Sequence, residues 1–223
     1  GFGYQHAWWT YKFLEDNKGV FDNIKENGER VFKVAVNEET DQDNLVNLAI
    51  YHHKPHGDSD LQKIIQLADW WSSGMERTSK NNEGENDEKY GWFKYKKVRL
   101  KNILSLINEG KNTATFPLSP LNISRKVFDK VEKIRFESRD NAEISEDYNI
   151  LWQDFEKQLK ALPTDSVKGF FESFLLLLQK YTWCMPASTN DLAHISLYEH
   201  LKTTAAIALA LYDFKEESKC SFE

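Results

Sequence analysis

A chain of 223 residues with 40% hydrophobic and 13% aromatic content is long enough to bury a sizeable core and too apolar to remain disordered. A formal net charge of −6 and a pI of about 5.6 exclude a global basic field, so any nucleic-acid contact needs a local patch. Two cysteines, Cys184 and Cys220, exclude a disulfide framework and a cysteine-based zinc site.

Tyr4 to Leu14 spaces Ala7, Trp8, Tyr11 and Leu14 at three and four, which predicts a first helix. His6 falls at the border of its apolar face, beside Thr10 and Phe13, where a partly buried histidine with a hydrogen-bond partner is the bland alternative to a ligand. Asp16 to Gly19 and then Asn27-Gly28 supply turn residues that end and separate elements. Asp41 to His53 predicts a second helix, with Asp41 and Asp43 suiting the positive end of its dipole. Two apolar series, Leu45–Leu48–Ala49 and Val46–Ile50, run on to His52 and His53. Adjacent helical residues lie about 100° apart, so one ring is expected to face inward while the other lines a cleft edge. Pro55 disfavours helix at Lys54 and places the pair at a helix C-terminus, where a cation is favoured, whether a proton or a metal. His56, in a loop with Gly57, is expected to be solvated.

Leu61 to Ser73 predicts a third helix, capped by Asp58 or Asp60, with Leu61, Ile64, Ile65 and Ala68 as its apolar stripe. Asp69 lies on the edge of that stripe, where an ionised carboxylate is costly unless paired, hydrogen-bonded or bound to metal. An ion pair with Arg77 or a lysine would satisfy it. The histidine pair at the end of the preceding helix favours a divalent metal, which imidazole and carboxylate suit. Trp70, Trp71 and Met75 read as core, and Ser72-Ser73-Gly74 permits a turn returning Glu76 and Arg77 towards the site.

Lys80 to Lys89 is a polar, glycine-containing loop. Lys89 to Lys101 (KYGWFKYKKVRLK) is the one dense basic and aromatic segment, alternating at strand period with one slip. It reads either as an amphipathic strand with a charged outer face, or as a track on which Lys94, Lys96, Lys97 and Arg99 guide a single strand of nucleic acid. Glu109 to Asn122 is loop or boundary, and Val127 to Phe136 a short helix. Glu146 to Leu162 and Ser166 to Tyr181 predict two strong helices, the second apolar nearly all round and therefore buried. Tyr181 to Asp191 is irregular. Ile195 to Asp213 predicts the last helix, whose alanines permit close approach of neighbours and whose His200 either packs or projects into a site. No P-loop, GxSxG or dinucleotide fingerprint is present.

The most apolar run, Phe174 to Leu178, is far short of the roughly 20 residues that span a bilayer, and no secretory signal is read, so a soluble, cytoplasmic protein is expected. The chain opens on GFGYQH without an initiator methionine and stops at CSFE soon after a strong helix. Both ends are expected to be cuts through something longer.

Four stretches recur in one order over nearly the whole chain: YQHAWWTYKFLE at 4–15, YHHKP at 51–55, LADWWSSGMER at 67–77, and YTWCMPAST with ISLYEHLKTTAAIALALY from 181 to 212. With these, the sequence resembles the HD-type nuclease domain of the large, polymerase-like subunit of type III CRISPR effector complexes. The resemblance implies a mainly α fold, a circularly permuted HD-domain helical bundle with a small β-containing insertion. As a single domain over 1–223, it would carry metal-site helices in 1–79 and 181–223, a strand and loop insertion at 80–122, and a helical packing region at 123–180. It implies His6, His52, His53, Asp69 and His200 as metal ligands or phosphate neighbours, with His53 and Asp69 central to catalysis, and manganese, nickel or iron as the metal. Other complex subunits with crRNA, single-stranded DNA and downstream palm domains are the implied partners, and no membrane. One departure stands out: no His-Asp dipeptide occurs in the chain. In the family that pair precedes the stretch matching His6, so it is expected before Gly1. Its absence supports a rival expectation, a catalytically silent HD-like scaffold module; a general HD phosphohydrolase acting on nucleotides is a third.

Overall fold

The computed structural model describes residues 5–35, 43–56, 58–74, 98–102, 115–122, 141–188 and 193–219. The described chain is mainly helical, with one small antiparallel sheet. The chain divides into two compact units: Gly1–Gly74 with Leu159–Phe174 and Lys202–Glu223, and Met75–Gln158 with Leu175–Leu201. No helix among the described residues is long and apolar enough to cross a membrane.

The first unit begins with α1 (Gln5–Asp16). Its Ala7 and Leu14 are buried, and Tyr11 packs between them in sequence, the spacing of one helical face. The helix stops at Asn17, a buried residue whose side-chain amide and backbone N–H both donate to the Phe13 carbonyl, satisfying a group the helix end leaves open. A short α2 (Lys18–Phe21) then delivers Phe21 to the core. The strands β1 (Lys25–Glu26) and β2 (Glu29–Arg30) pair around Asn27-Gly28, both at positive φ (54° and 86°). That is the backbone twist a two-residue hairpin demands, and Asn-Gly is the dipeptide that adopts it most cheaply.

The next helix, α3 (Leu45–Ile50), starts at Asn44, whose side chain accepts a 2.9 Å hydrogen bond from the Asn47 N–H, and it ends at Tyr51. It packs against α1 and against α4 (Asp60–Gly74). The cap of α4 is neither Asp58 nor Asp60 but Ser59, whose Oγ accepts from the Gln62 N–H at 3.1 Å. Ser-x-x-Gln is a capping-box pattern, and it anchors twice more. The Ser59 hydroxyl donates to Asp43, just ahead of α3, and Gln62 Oε1 accepts from the His56 N–H at 2.9 Å. These bonds lock the start of α4 to the flanks of α3.

Ala7, Leu14, Phe21, Ile24, Val34, Val46, Ile50 and Phe170 form one buried cluster. Phe170 belongs to α6 (Val167–Thr182), which follows α5 (Asn141–Leu159). Phe21 meets Phe170 and Phe174 edge-on at 5.9 and 6.1 Å, an aromatic arrangement that adds to the burial energy of about 1.5–3 kcal/mol per large side chain. The first turn of α6 is tied back to the hairpin, because the Val167 N–H donates to Glu26 Oε2 at 3.0 Å. A carboxylate there suits the positive helix end.

In the second unit, Leu151 and Phe155 of α5 are buried, with Phe155 edge-on to the buried Tyr181 of α6. The Tyr181 hydroxyl donates to the Asp154 carboxylate and accepts from Gln158 Nε2, and burial with this partner pushes its pKa well above the usual phenol value. Lys101 bridges Thr115, and Trp183 Nε1 donates to the Ser119 carbonyl at 2.8 Å.

Three burial expectations fail. Trp70 and Trp71 are 50% and 57% exposed; the buried stripe of α4 is Ile64, Ala68 and Ser72, with Trp70 on the far side of the helix and Trp71 at the edge of the stripe. On α6, Leu175 and Leu176 are exposed although Phe170 and Leu177 are buried, so its apolar character does not mean burial all round. The last helix, α7 (Leu197–Ser218), buries only Tyr198 among its residues, and Ala205, Ala206 and Ala210 are exposed. Hydrophobicity alone does not say which apolar face a chain covers. The basic segment shows only its end, from Val98, while Val127 to Phe136 lies outside the described residues.

Candidate metal centre

His6 sits on the first turn of α1, and His52 and His53 follow the end of α3. The apolar series predicts a helix through both histidines, but α3 closes at Ile50 and the chain turns, with the Lys54 N–H donating to the Tyr51 carbonyl at 2.9 Å. That early stop has a chemical consequence. In a continuous helix the two rings would diverge by about 100°. In the turn they lie side by side, ring centroids 4.1 Å apart, and both reach His6. The expected division into one inward and one cleft-edge ring is therefore replaced by convergence.

His6 Nε2 lies 2.5 Å from His53 Nε2 and 3.4 Å from His52 Nε2. One ring nitrogen from each of the three falls within 4.8 Å of the others, a spacing at which a single ion can be held. Three imidazoles cannot all present lone pairs to one another at such distances without a cation or a shared proton between them. The tautomer of His52 is fixed independently. Its Nδ1 is 2.8 Å from the Ala49 carbonyl, so Nδ1–H donates and Nε2 carries the lone pair towards the centre. A backbone carbonyl holding the far nitrogen of a histidine is the usual support of a metal-ligating ring.

Electrostatics point the same way. Burial, then the neighbouring His52 and His6 rings, push the His53 pKa down to about 4, against an opposing pull from Asp69. His6 is lowered too, first by loss of water around its ring and then by His52, with Asp69 again opposing. Both rings are thereby kept neutral, the form that binds metal. Asp69, half-buried on α4, is close enough to act on both histidines through space, although its carboxylate is not part of the tight three-nitrogen group. The donor set fits a divalent transition metal: three imidazole nitrogens, one with its orienting acceptor, beside a carboxylate.

His200 lies on α7 in the second unit, half-buried, its backbone N–H bonded to the Ser196 carbonyl. His56 is half-buried and edge-on to Tyr51 at 4.4 Å. Lys94, Lys96 and Lys97 lie outside the described residues, but Arg99 does not point to solvent. It is 3% exposed, 3.6 Å from Asp147 and over the Tyr148 ring, an internal brace of the second unit. The sequence reading missed the Ala49 carbonyl, although the orphan carbonyls of a helix's last turn are where such an acceptor is found.

Fold and site together define a mainly helical protein with a candidate three-histidine metal centre. No protein-family model matches the chain, and no solved structure does. Curated relatives do match. The chain is 31% identical over 218 residues to the CRISPR system single-strand-specific deoxyribonuclease Cas10/Csm1 (subtype III-A) of Methanocaldococcus jannaschii, an alignment covering 91% of this chain and 25% of that protein. The proteins of the same description from Streptococcus thermophilus and Enterococcus italicus are 29% and 28% identical, over 77% and 79% of this chain and 22% and 23% of theirs. The chain is thus homologous to a segment of the Cas10/Csm1 proteins of type III-A CRISPR systems, and it spans about a quarter of their length.

Proposed function

We propose that residues 1–223 form an HD-type nuclease domain that hydrolyses single-stranded DNA as part of a crRNA-guided type III complex, with the other complex subunits and the palm domains of a longer protein as partners. The observation that carries this reading is the convergence of His6, His52 and His53 on one point from two stretches separated by more than forty residues. The relatives' description as single-strand-specific deoxyribonucleases supports the substrate.

His6, His52 and His53 would hold the metal, with Asp69 as the neighbouring carboxylate; manganese, nickel or iron suit this donor set. When bound, such an ion acidifies water near neutral pH and offsets charge on a phosphodiester. The chain's own groups prepare the site. The Ala49 carbonyl orients His52, and the depressed pKa values of His53 and His6 limit competition from protons. Asp69 adds negative charge that favours a cation over an empty cluster. A ligand role for His200 rests on the family resemblance alone. Lys94, Lys96 and Lys97 remain the strand-guiding candidates, while Arg99 is committed to packing.

The test is cleavage of single-stranded DNA by the full-length protein. His53→Ala and Asp69→Ala are each expected to abolish it with the helical circular dichroism unchanged; retained cleavage in both sinks the assignment. A second reading is a catalytically silent HD-like scaffold module. Metal analysis of the purified chain separates the two, since the silent module carries no stoichiometric transition metal.

A further inference from the structure

Four tryptophans of the first unit are exposed, and they follow the site residues in sequence: Trp8 and Trp9 after His6, Trp70 and Trp71 after Asp69. Four indoles left in water on two helices are a large exposed aromatic surface, with a flat apolar face and a polar N–H on each ring. They are not equivalent. At 100° per residue, Trp9 stands roughly 60° from His6 around α1, whereas Trp8 stands roughly 160° away. Residues three apart on a helix have Cβ atoms about 5–6 Å apart, so Trp9 is the neighbour of His6 along one side of α1. It is 57% exposed, and it is held: Trp8 lies nearly perpendicular to it, ring centroids 4.8 Å apart with 78° between planes. A braced, solvent-facing indole offers a flat surface at a fixed angle.

Resting on the nuclease reading above, we propose that Trp9 is a base-stacking residue that sets single-strand specificity, taking the base of a nucleotide whose phosphate is drawn to the His6–His52–His53 centre. The complementarity is double. The phosphate is an anion facing a cation site, and the base presents a π-face to an indole. In a duplex both faces of every base are covered by its neighbours, so only an unstacked strand can make the second contact. Because every base has such a face, the contact selects strandedness and not sequence.

The experiment measures binding of fluorescent oligothymidylate, and of an abasic strand of equal length, to the full chain loaded with manganese, both strands carrying phosphorothioate linkages that keep the charge and resist cleavage. Trp9→Ala is expected to weaken oligothymidylate binding about tenfold while leaving the abasic strand unaffected. Trp9→Phe, which keeps a ring, restores most of the loss. Trp71→Ala is the matched control, equally exposed but roughly 160° from Asp69 around α4, and binds like the unaltered chain. Unaltered oligothymidylate binding in Trp9→Ala, or an equal loss on both strands, overturns the stacking role. That failure is distinguishable from failure of the nuclease reading, which His53→Ala tests through cleavage and metal content.

Discussion

At the scale of single residues, the centre depends on keeping imidazoles neutral where three of them crowd together. A histidine whose folded pKa lies below its unfolded value of about 6.5 leaves the unfolded chain to bind protons first. The stability contributed by His53 is therefore fully present above about pH 6.5 and is lost as the pH falls towards about 4. The metal-free chain is expected to lose thermal stability across that window, and His53→Gln, which cannot titrate, to flatten the loss; thermal melts in buffers between the two limits check it. A loaded chain should release its metal over the same range as protons take the ring nitrogens, read as metal retained after dialysis at each pH. The histidine pair was legible in the sequence as a site because two adjacent rings near a helix end are unusual. Their joint convergence was not, since it required the helix to close at Ile50.

At the scale of elements, the site is placed by caps and turns more than by the helices themselves. Ser59 caps α4, bonds Asp43 ahead of α3 and is buried, so it couples the helix bearing Asp69 to the helix that precedes His52 and His53. Ser59→Ala removes the cap and is expected to cost about 1–2 kcal/mol, a drop of several degrees in the melting midpoint for a chain of this size. It should also weaken metal retention, which Asp58→Ala, on an exposed residue, should not. The Ser-x-x-Gln signature was available in the sequence and outranks the flanking aspartates, because only it satisfies a helical N–H while its glutamine secures the loop before it.

At the scale of the whole molecule, the aromatic core of the first unit belongs to the same buried cluster as Ala7 and Ile50, the sequence neighbours of the centre, but none of its rings is a candidate ligand. Phe170 is buried against Phe21 and Phe174, and Phe170→Ala is expected to cost about 3–5 kcal/mol, lowering the melting midpoint by roughly ten degrees. Metal bound per folded molecule should be unchanged well below that midpoint; a proportionate loss would mean that the core also shapes the centre. The mainly helical class follows from periodicity, and the relation to Cas10/Csm1 proteins follows from short stretches spread in order along the chain.

By itself the sequence determined the place of the strong helices among the described residues, a turn at Asn27-Gly28 and the histidine and aspartate types on which a metal reading rests. These are local properties: hydrophobic period, turn chemistry and donor identity are all written in neighbouring residues. Only the tertiary structure decided that His6 meets His52 and His53, that Arg99 is spent on Asp147, and that Trp9 faces water. Those outcomes depend on which of several apolar faces finds a partner, and a pattern along one helix carries no information about the helix it will meet.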